Sequence, residues 1–116
     1  MVIFTLIIND APYNRERAYT ALRFARTAVF EGHTTRIFLI ENGVYVAKKD
    51  QKPAADQPNF GVFLEDLIKD GQEVKACIVC IKARGIAESE LISGVKVVAL
   101  NDLVEWTATS DKIVVF

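Results

Sequence analysis

Two side chains in this sequence are suited to covalent chemistry with soft electrophiles, Cys77 and Cys80, its only cysteines. They close an apolar run, Val74-Lys75-Ala76-Cys77-Ile78-Val79-Cys80-Ile81, and Lys82-Ala83-Arg84-Gly85 follows at once. A thiol placed where a strand stops, with cations a turn or two away, is set to react as a thiolate. No other segment competes with this one as a site of chemistry. In a thioredoxin-like site a Cys-X-X-Cys motif opens a helix, and its second cysteine resolves a mixed disulfide. Here Ile78-Val79 lies between the cysteines, a pair better suited to a strand or a buried helix than to an exposed redox turn. In a continuous strand the two side chains point to opposite faces, roughly 10 Å apart along the chain. A disulfide needs Cα atoms within about 7 Å. Pairing therefore requires the chain to turn into a helix at Cys77 or just after it.

Each candidate has a plainer reading. Free cysteine is often a small buried hydrophobe, and this reading is favoured for Cys80. Cys77 is favoured as the catalytic thiol, because it falls at the strand end with Lys75, Lys82 and Arg84 nearby. A closed zinc site wants four ligands, and two cysteines with the single His33 do not supply them. His33 follows Gly32 at the start of the second strand, the far end of the sheet from Cys77, so no metal site is expected. Asn9, Asp10, Glu41 and Asn42 are candidate cleft residues, with Glu41 and Asn42 able to offer acid-base or hydrogen-bonding groups; loop carboxylates are more often simply solvated. No Gly-X-Gly-X-X-Gly or Walker sequence follows the first strand, so no phosphate-cradling loop and no cofactor is expected. Ser89 and Ser93 lack a base to activate them. Trp106, with Leu103, reads as core or subunit interface.

These residues are carried by an alternating series of elements. Residues 2–8 form a nearly continuous apolar run rich in β-branched side chains, a strand covered on both faces. Pro12-Tyr13-Asn14 breaks it, with Asn14 as N-cap. Ala18, Leu22, Ala25 and Val29 then follow at helical spacing until Gly32 stops the helix. Thr35 to Ile40 is a second strand, ending at the turn signature Glu41-Asn42-Gly43. Lys48 to Asn59 has two prolines, several charges and no periodicity. It is a loop, long for a compact domain, expected at a subunit boundary or over the cleft. Phe60, Phe63, Leu64, Leu67 and Ile68 make a second helical stripe ending at Gly71. Val74 to Cys77 or a little beyond is the third strand, Glu88 to Ser93 a short helix, and Val95 to Leu100 the fourth strand. A short helix with Leu103, Val104 and Trp106 and a terminal strand, Ile113 to Phe116, complete the series. Alternation of this kind predicts a five-stranded, mainly parallel sheet with helices on both faces. Ligands and chemistry gather outside the carboxyl ends of such strands, and the cysteine segment falls on that edge.

At 116 residues the chain makes one domain, residues 1–116. Its hydrophobic fraction of 51% is high for a soluble domain, which favours oligomerisation to cover the surplus. A formal net charge of −1 leaves no basic excess to displace counterions, so no direct nucleic-acid binding is expected. The apolar stretch at residues 2–8 has no positive n-region, is too short to span a bilayer, and runs into Asn9-Asp10. No membrane association is expected. Two cysteines three apart make no secreted disulfide framework. The sequence reads as cytoplasmic.

With these residues in hand, the chain resembles the DsrE family of small sulfur-relay proteins, with TusD-like features. The resemblance runs nearly end to end. It is carried by Ala11-Pro12-Tyr13 after the first strand, by Phe24-Ala25 and Glu31-Gly32-His33, and by Ile37-Phe38 followed by Asn42-Gly43-Val44-Tyr45. Cys77 ahead of Arg84-Gly85, and the closing Ser110-Asp111-Lys112-Ile113-Val114-Val115-Phe116, continue it. The resemblance implies a three-layer αβα, flavodoxin-like fold and assembly into a trimer or hexamer. It implies that Cys77 matches the cysteine that carries a persulfide, a sulfurtransferase-type activity served by sulfur donor and acceptor proteins. Cys80 is an extra thiol relative to the TusD-like pattern, an auxiliary or resolving group. A dithiol redox or thiol-sensing protein using both cysteines, and a non-catalytic assembly module with both packed in the core, are the rival readings.

Overall fold

The computed structural model describes all residues from Met1 to Phe116. Five strands, β1 (Ile3–Ile8), β2 (Thr34–Leu39), β3 (Glu73–Cys77), β4 (Val95–Val98) and β5 (Lys112–Val115), alternate with four helices. These are α1 (Arg17–Phe30), α2 (Phe60–Lys69), α3 (Ile78–Ala83) and α4 (Leu100–Thr109). The strands lie in the order β4-β3-β2-β1-β5, and every neighbouring pair is parallel. From β1 to β4 the chain steps across the sheet in one direction, so right-handed crossovers deliver α1, α2 and α3 to one face. The last connection returns over the whole sheet to set β5 beside β1, and delivers α4 to the other face. The fold is the expected flavodoxin-like three-layer α/β architecture.

Strand alternation sorts the side chains between the two layers. On the first face Leu6, Ile8, Ile37, Leu39, Val74 and Ala76 meet Ala18, Leu22 and Ala25 of α1, Leu64 and Leu67 of α2, and Ile81 of α3. On the second face a smaller cluster joins Phe38 and Cys77 to Trp106 of α4. Small alanines let α1 approach the sheet closely. Asn59 caps α2 by accepting the Val62 N–H at 3.1 Å. No helix is long and apolar enough to cross a membrane.

Several local expectations are corrected. α1 starts at Arg17, and Glu16 rather than Asn14 precedes it, without a side-chain cap; Tyr13 at φ 63 turns the intervening residues out of the helix. The third helix lies at Ile78–Ala83, not at Glu88–Ser93. β3 loses its partners at Cys77, where the register on β2 ends with Leu39 opposite Ala76 and that on β4 with Val98 opposite Cys77. Beyond that level a strand would leave its N–H and C=O groups unpaired, and a helix satisfies them. Of Glu88–Ser93, only Glu88–Glu90 is helical, as a single 3₁₀ turn. Leu91 bridges to Lys48 instead, and the Ile92 N–H bonds the Ala47 carbonyl at 2.8 Å. β4 ends at Val98, and Leu100 already opens α4.

The turn expected at Glu41-Asn42-Gly43 begins a longer 3₁₀ segment, Glu41–Ala47, that buries Val44, Val46 and Ala47. Gly43 lies against the end of β1 so closely that a Cβ there would stand 1.9 Å from the Ile8 carbonyl oxygen. The Lys48–Asn59 loop is ordered from within the chain. Gln51 Nε2 donates to the carbonyls of Val46 and Lys48, both at 2.9 Å, and its Oε1 accepts from Tyr13 at 2.7 Å. These bonds hold the loop beside Tyr13 and α2, with none reaching a cysteine. His33 serves the amino end of the sheet, where Nδ1 accepts the Val2 N–H at 3.0 Å and the ring stands edge-on to Phe4.

Candidate functional site

The level at which β2, β3 and β4 end also fixes the thiols. Connections leave β3 and β4 toward opposite faces, and it is outside the carboxyl ends of strands so arranged that such sheets take ligands. Cys77 is the last residue of β3 and stands opposite Val98. Its side chain falls on the α4 face and is only 5% exposed, packed with Phe38 and Trp106 and bordered by Ile40, Val98 and Leu103. The turn into α3 then brings Cys80 back over it, because residues three apart on a helix are neighbours. Cys80 packs against the same cluster, so the two free thiols come together at the end of β3. The condition for pairing that the spacing imposed is thus met.

The burial of the two thiols reverses expectation: Cys77 is buried and Cys80 is only partly so. The cause is the second face. Cys77 is on the β3 face that α4 covers, whereas α3 carries Cys80 to the sheet edge. There its Sγ accepts the backbone N–H of Glu41 at 3.1 Å. Glu41 thereby contributes its main chain rather than its carboxylate, with its backbone in the left-handed region at φ 54. The contact of Gly43 with β1 fixes this turn.

The cations are also distributed differently from expectation. Arg84 faces Cys80, not Cys77: Nε donates to Asn42 Oδ1 at 3.0 Å and Nη1 to the Cys80 carbonyl at 3.1 Å. Lys82 is exposed and makes no ion pair or hydrogen bond with either cysteine. Lys75 shares the Cys77 face, but its Nζ is taken by Asp102 at 2.8 Å and lies 4.4 Å from the Trp106 ring centre. Burial pushes the Cys80 thiol above its ordinary pKa. The Glu41 N–H opposes this, contact with Cys77 adds to it, and Arg84 draws it down, for a net rise.

Asn9 and Asp10 reach the same edge but a different depression. With Arg15, Arg17, Asn42 and Phe116 they line a cleft of about 330 Å³. Asn9 Nδ2 donates to the Phe116 carbonyl at 3.2 Å, and Asp10 Oδ2 is buried without a partner. Asn42 belongs to both groups, since it also holds Arg84. The largest depression, about 500 Å³, lies between α2 and the Lys49–Asp50 corner and holds none of the expected site residues.

The sequence reading did not assign Phe38, Val98 or Leu103 to the thiol site, nor the Glu41 N–H. The signal for the first three was present in strand alternation, once α4 was placed alone on its face. The N–H left no signal in residue type. The assembled site is a dithiol with one sheltered and one accessible sulfur, an N–H aimed at the accessible one, and a guanidinium beside it. Such a group can accept a sulfur atom, hold it, or close to a disulfide.

Comparison with known proteins bears on the family and the fold. The chain is 50% identical over 114 residues to a protein of Methanopyrus kandleri, covering 98% of this chain and 93% of that one. It is 34% identical to protein YchN of Escherichia coli over 96% of each chain, and the YchN crystal structure superposes with a TM-score of 0.92 over the whole of both. It is 27% identical to the sulfurtransferase TusD of Cronobacter sakazakii, over 97% of this chain and 98% of that one. The pattern of the DsrE/DsrF-like family matches residues 2–116, and the chain belongs to that family.

Proposed function

We propose that this protein is a cytoplasmic sulfur-relay protein that carries a cysteine persulfide between a donor and an acceptor protein, with Cys77 as the carrying thiol. No cofactor takes part, and the chain works as a homo-oligomer, a trimer or hexamer. The observation that carries the reading is the thiol pair itself, gathered in one cluster at the carboxyl edge of β3 in a chain of this family. A relative that bears the name sulfurtransferase supports the same chemistry. In loading, a thiolate attacks the terminal sulfur of the donor persulfide and the donor thiolate leaves. In discharge, the acceptor thiolate attacks that same sulfur and frees the carrier. The walls around Cys77, Phe38 and Trp106, keep water and small thiols from the loaded sulfur.

Mass spectrometry after exposure to cysteine persulfide tests this. The expected result is one added sulfur atom mapped to Cys77 and lost again to a thiol acceptor. Failure to find added sulfur on either cysteine would overturn the reading. The gathering of both thiols in one cluster favours one rival, a dithiol redox protein. That reading predicts closure to a disulfide under mild oxidation and equal dependence of activity on both cysteines.

A further inference from the structure

Taking the relay reading as given, we infer that sulfur enters on Cys80 and passes inward to Cys77, so that the pair is a two-station carrier with an accessible loading thiol and a sheltered holding thiol. Three observations point the same way. Cys77 is 5% exposed beneath Phe38, Trp106 and Leu103, closed to a donor protein, whereas Cys80 is partly open at the sheet edge. Cys80, three residues on in the first turn of α3, packs against the cluster that holds Cys77, so transfer between them needs no large movement. The one backbone donor at the pair points at Cys80, the sulfur that must bear negative charge as it captures and as it releases.

The chemistry balances without an oxidant or reductant. The Cys80 thiolate attacks the terminal sulfur of the donor persulfide; a new sulfur–sulfur bond forms, and the donor departs with the electron pair of the broken one. The Cys77 sulfur then attacks this terminal sulfur. The bond from Cys80 Sγ breaks, and the Cys80 sulfur leaves with its electrons and takes up the proton that Cys77 gives up. The Glu41 N–H stabilises the charge that develops on the leaving Cys80 sulfur. Discharge is the reverse, from Cys77 to Cys80 and from there to the acceptor thiolate.

The test is time-resolved loading of the full chain with cysteine persulfide, quenched by alkylation and mapped by tandem mass spectrometry. In the wild-type protein the added sulfur is expected on Cys80 first and on Cys77 after a lag. Cys77→Ala should keep the sulfur on Cys80, and Cys80→Ser should load about ten-fold more slowly than wild type. Trp106 fluorescence confirms that each variant is folded. Loading of Cys80→Ser at the wild-type rate would overturn the entry role while leaving the relay intact. Release of sulfide with loss of two hydrogens from the wild-type pair would replace transfer by disulfide closure and also overturn it. Absence of added sulfur from all three proteins would sink the relay and the two-station scheme together.

Discussion

Cys80 is the residue on which opposing influences meet. Burial and the neighbouring Cys77 raise its pKa, while the Glu41 N–H and Arg84 lower it, and the net direction is upward. Its alkylation should therefore rise with pH through a midpoint above the ordinary thiol value of about 8.5. Arg84→Ala removes a lowering influence and frees Asn42, so the midpoint should move further up and the rate at neutral pH should fall. An unchanged profile would show that Arg84 is only a cap of α3. The same shift has a consequence for stability. A thiol whose pKa is higher folded than unfolded holds its proton more tightly in the native state. Its contribution is complete below about pH 8.5 and is lost as pH rises through the folded value. Cys80→Ala should remove this alkaline loss in urea unfolding without altering the neutral limb.

At the scale of elements, α4 is the cover of the site. Trp106 is nearly buried, stands edge-on to Phe38 with ring centres 6.1 Å apart, and carries Lys75 over its face. Trp106→Ala should cost about 3–5 kcal/mol in chemical unfolding and open Cys77 to alkylation. Trp106→Phe, which keeps an apolar wall, should protect Cys77 and recover much of the stability. Cys77 alkylation that ignored both changes would mean another element shelters it. The elements themselves were largely legible. Alternating apolar runs gave the five strands, and the helical stripes at Ala18 to Val29 and Phe60 to Ile68 gave α1 and α2. α3 was not legible, because Ile78-Val79-Cys80-Ile81 has the composition of a strand. What makes it a helix is that β2 and β4 stop at the level of Cys77, a fact of register and not of local sequence. The burial of Cys77 was hidden for a similar reason: it depends on which face α4 takes, and only the strand order decides that. The pairing of Arg84 with Asn42 spans 42 positions and follows from the fold of the Glu41–Ala47 segment, so no local pattern signals it.

For the whole molecule, the winding that puts three helices on one face leaves α4 alone on the other. It covers β2 and β3 through Trp106 and reaches β1 at the buried Thr5, but leaves β5 at the sheet edge uncovered. Ile113 and Val115 of β5 are 47% and 61% exposed there, and Leu100 and Val104 of α4 are 53% and 63% exposed. An apolar surface shared by a strand edge and a helix flank is what a second copy of the same chain would cover. This is where the proposed homo-oligomer is expected to form its interface. Val104→Glu places a charge on a side chain that is not needed for the monomer core. It should shift the sedimentation coefficient from oligomer to monomer at micromolar concentration while leaving the circular dichroism spectrum unchanged. Phe30→Glu, on the far end of α1 where Phe30 is 90% exposed, serves as the control and should leave the assembly intact. Dissociation by Phe30→Glu alone would move the interface to the α1 face. A wild-type protein that sediments as a monomer at high micromolar concentration would refute assembly through any face.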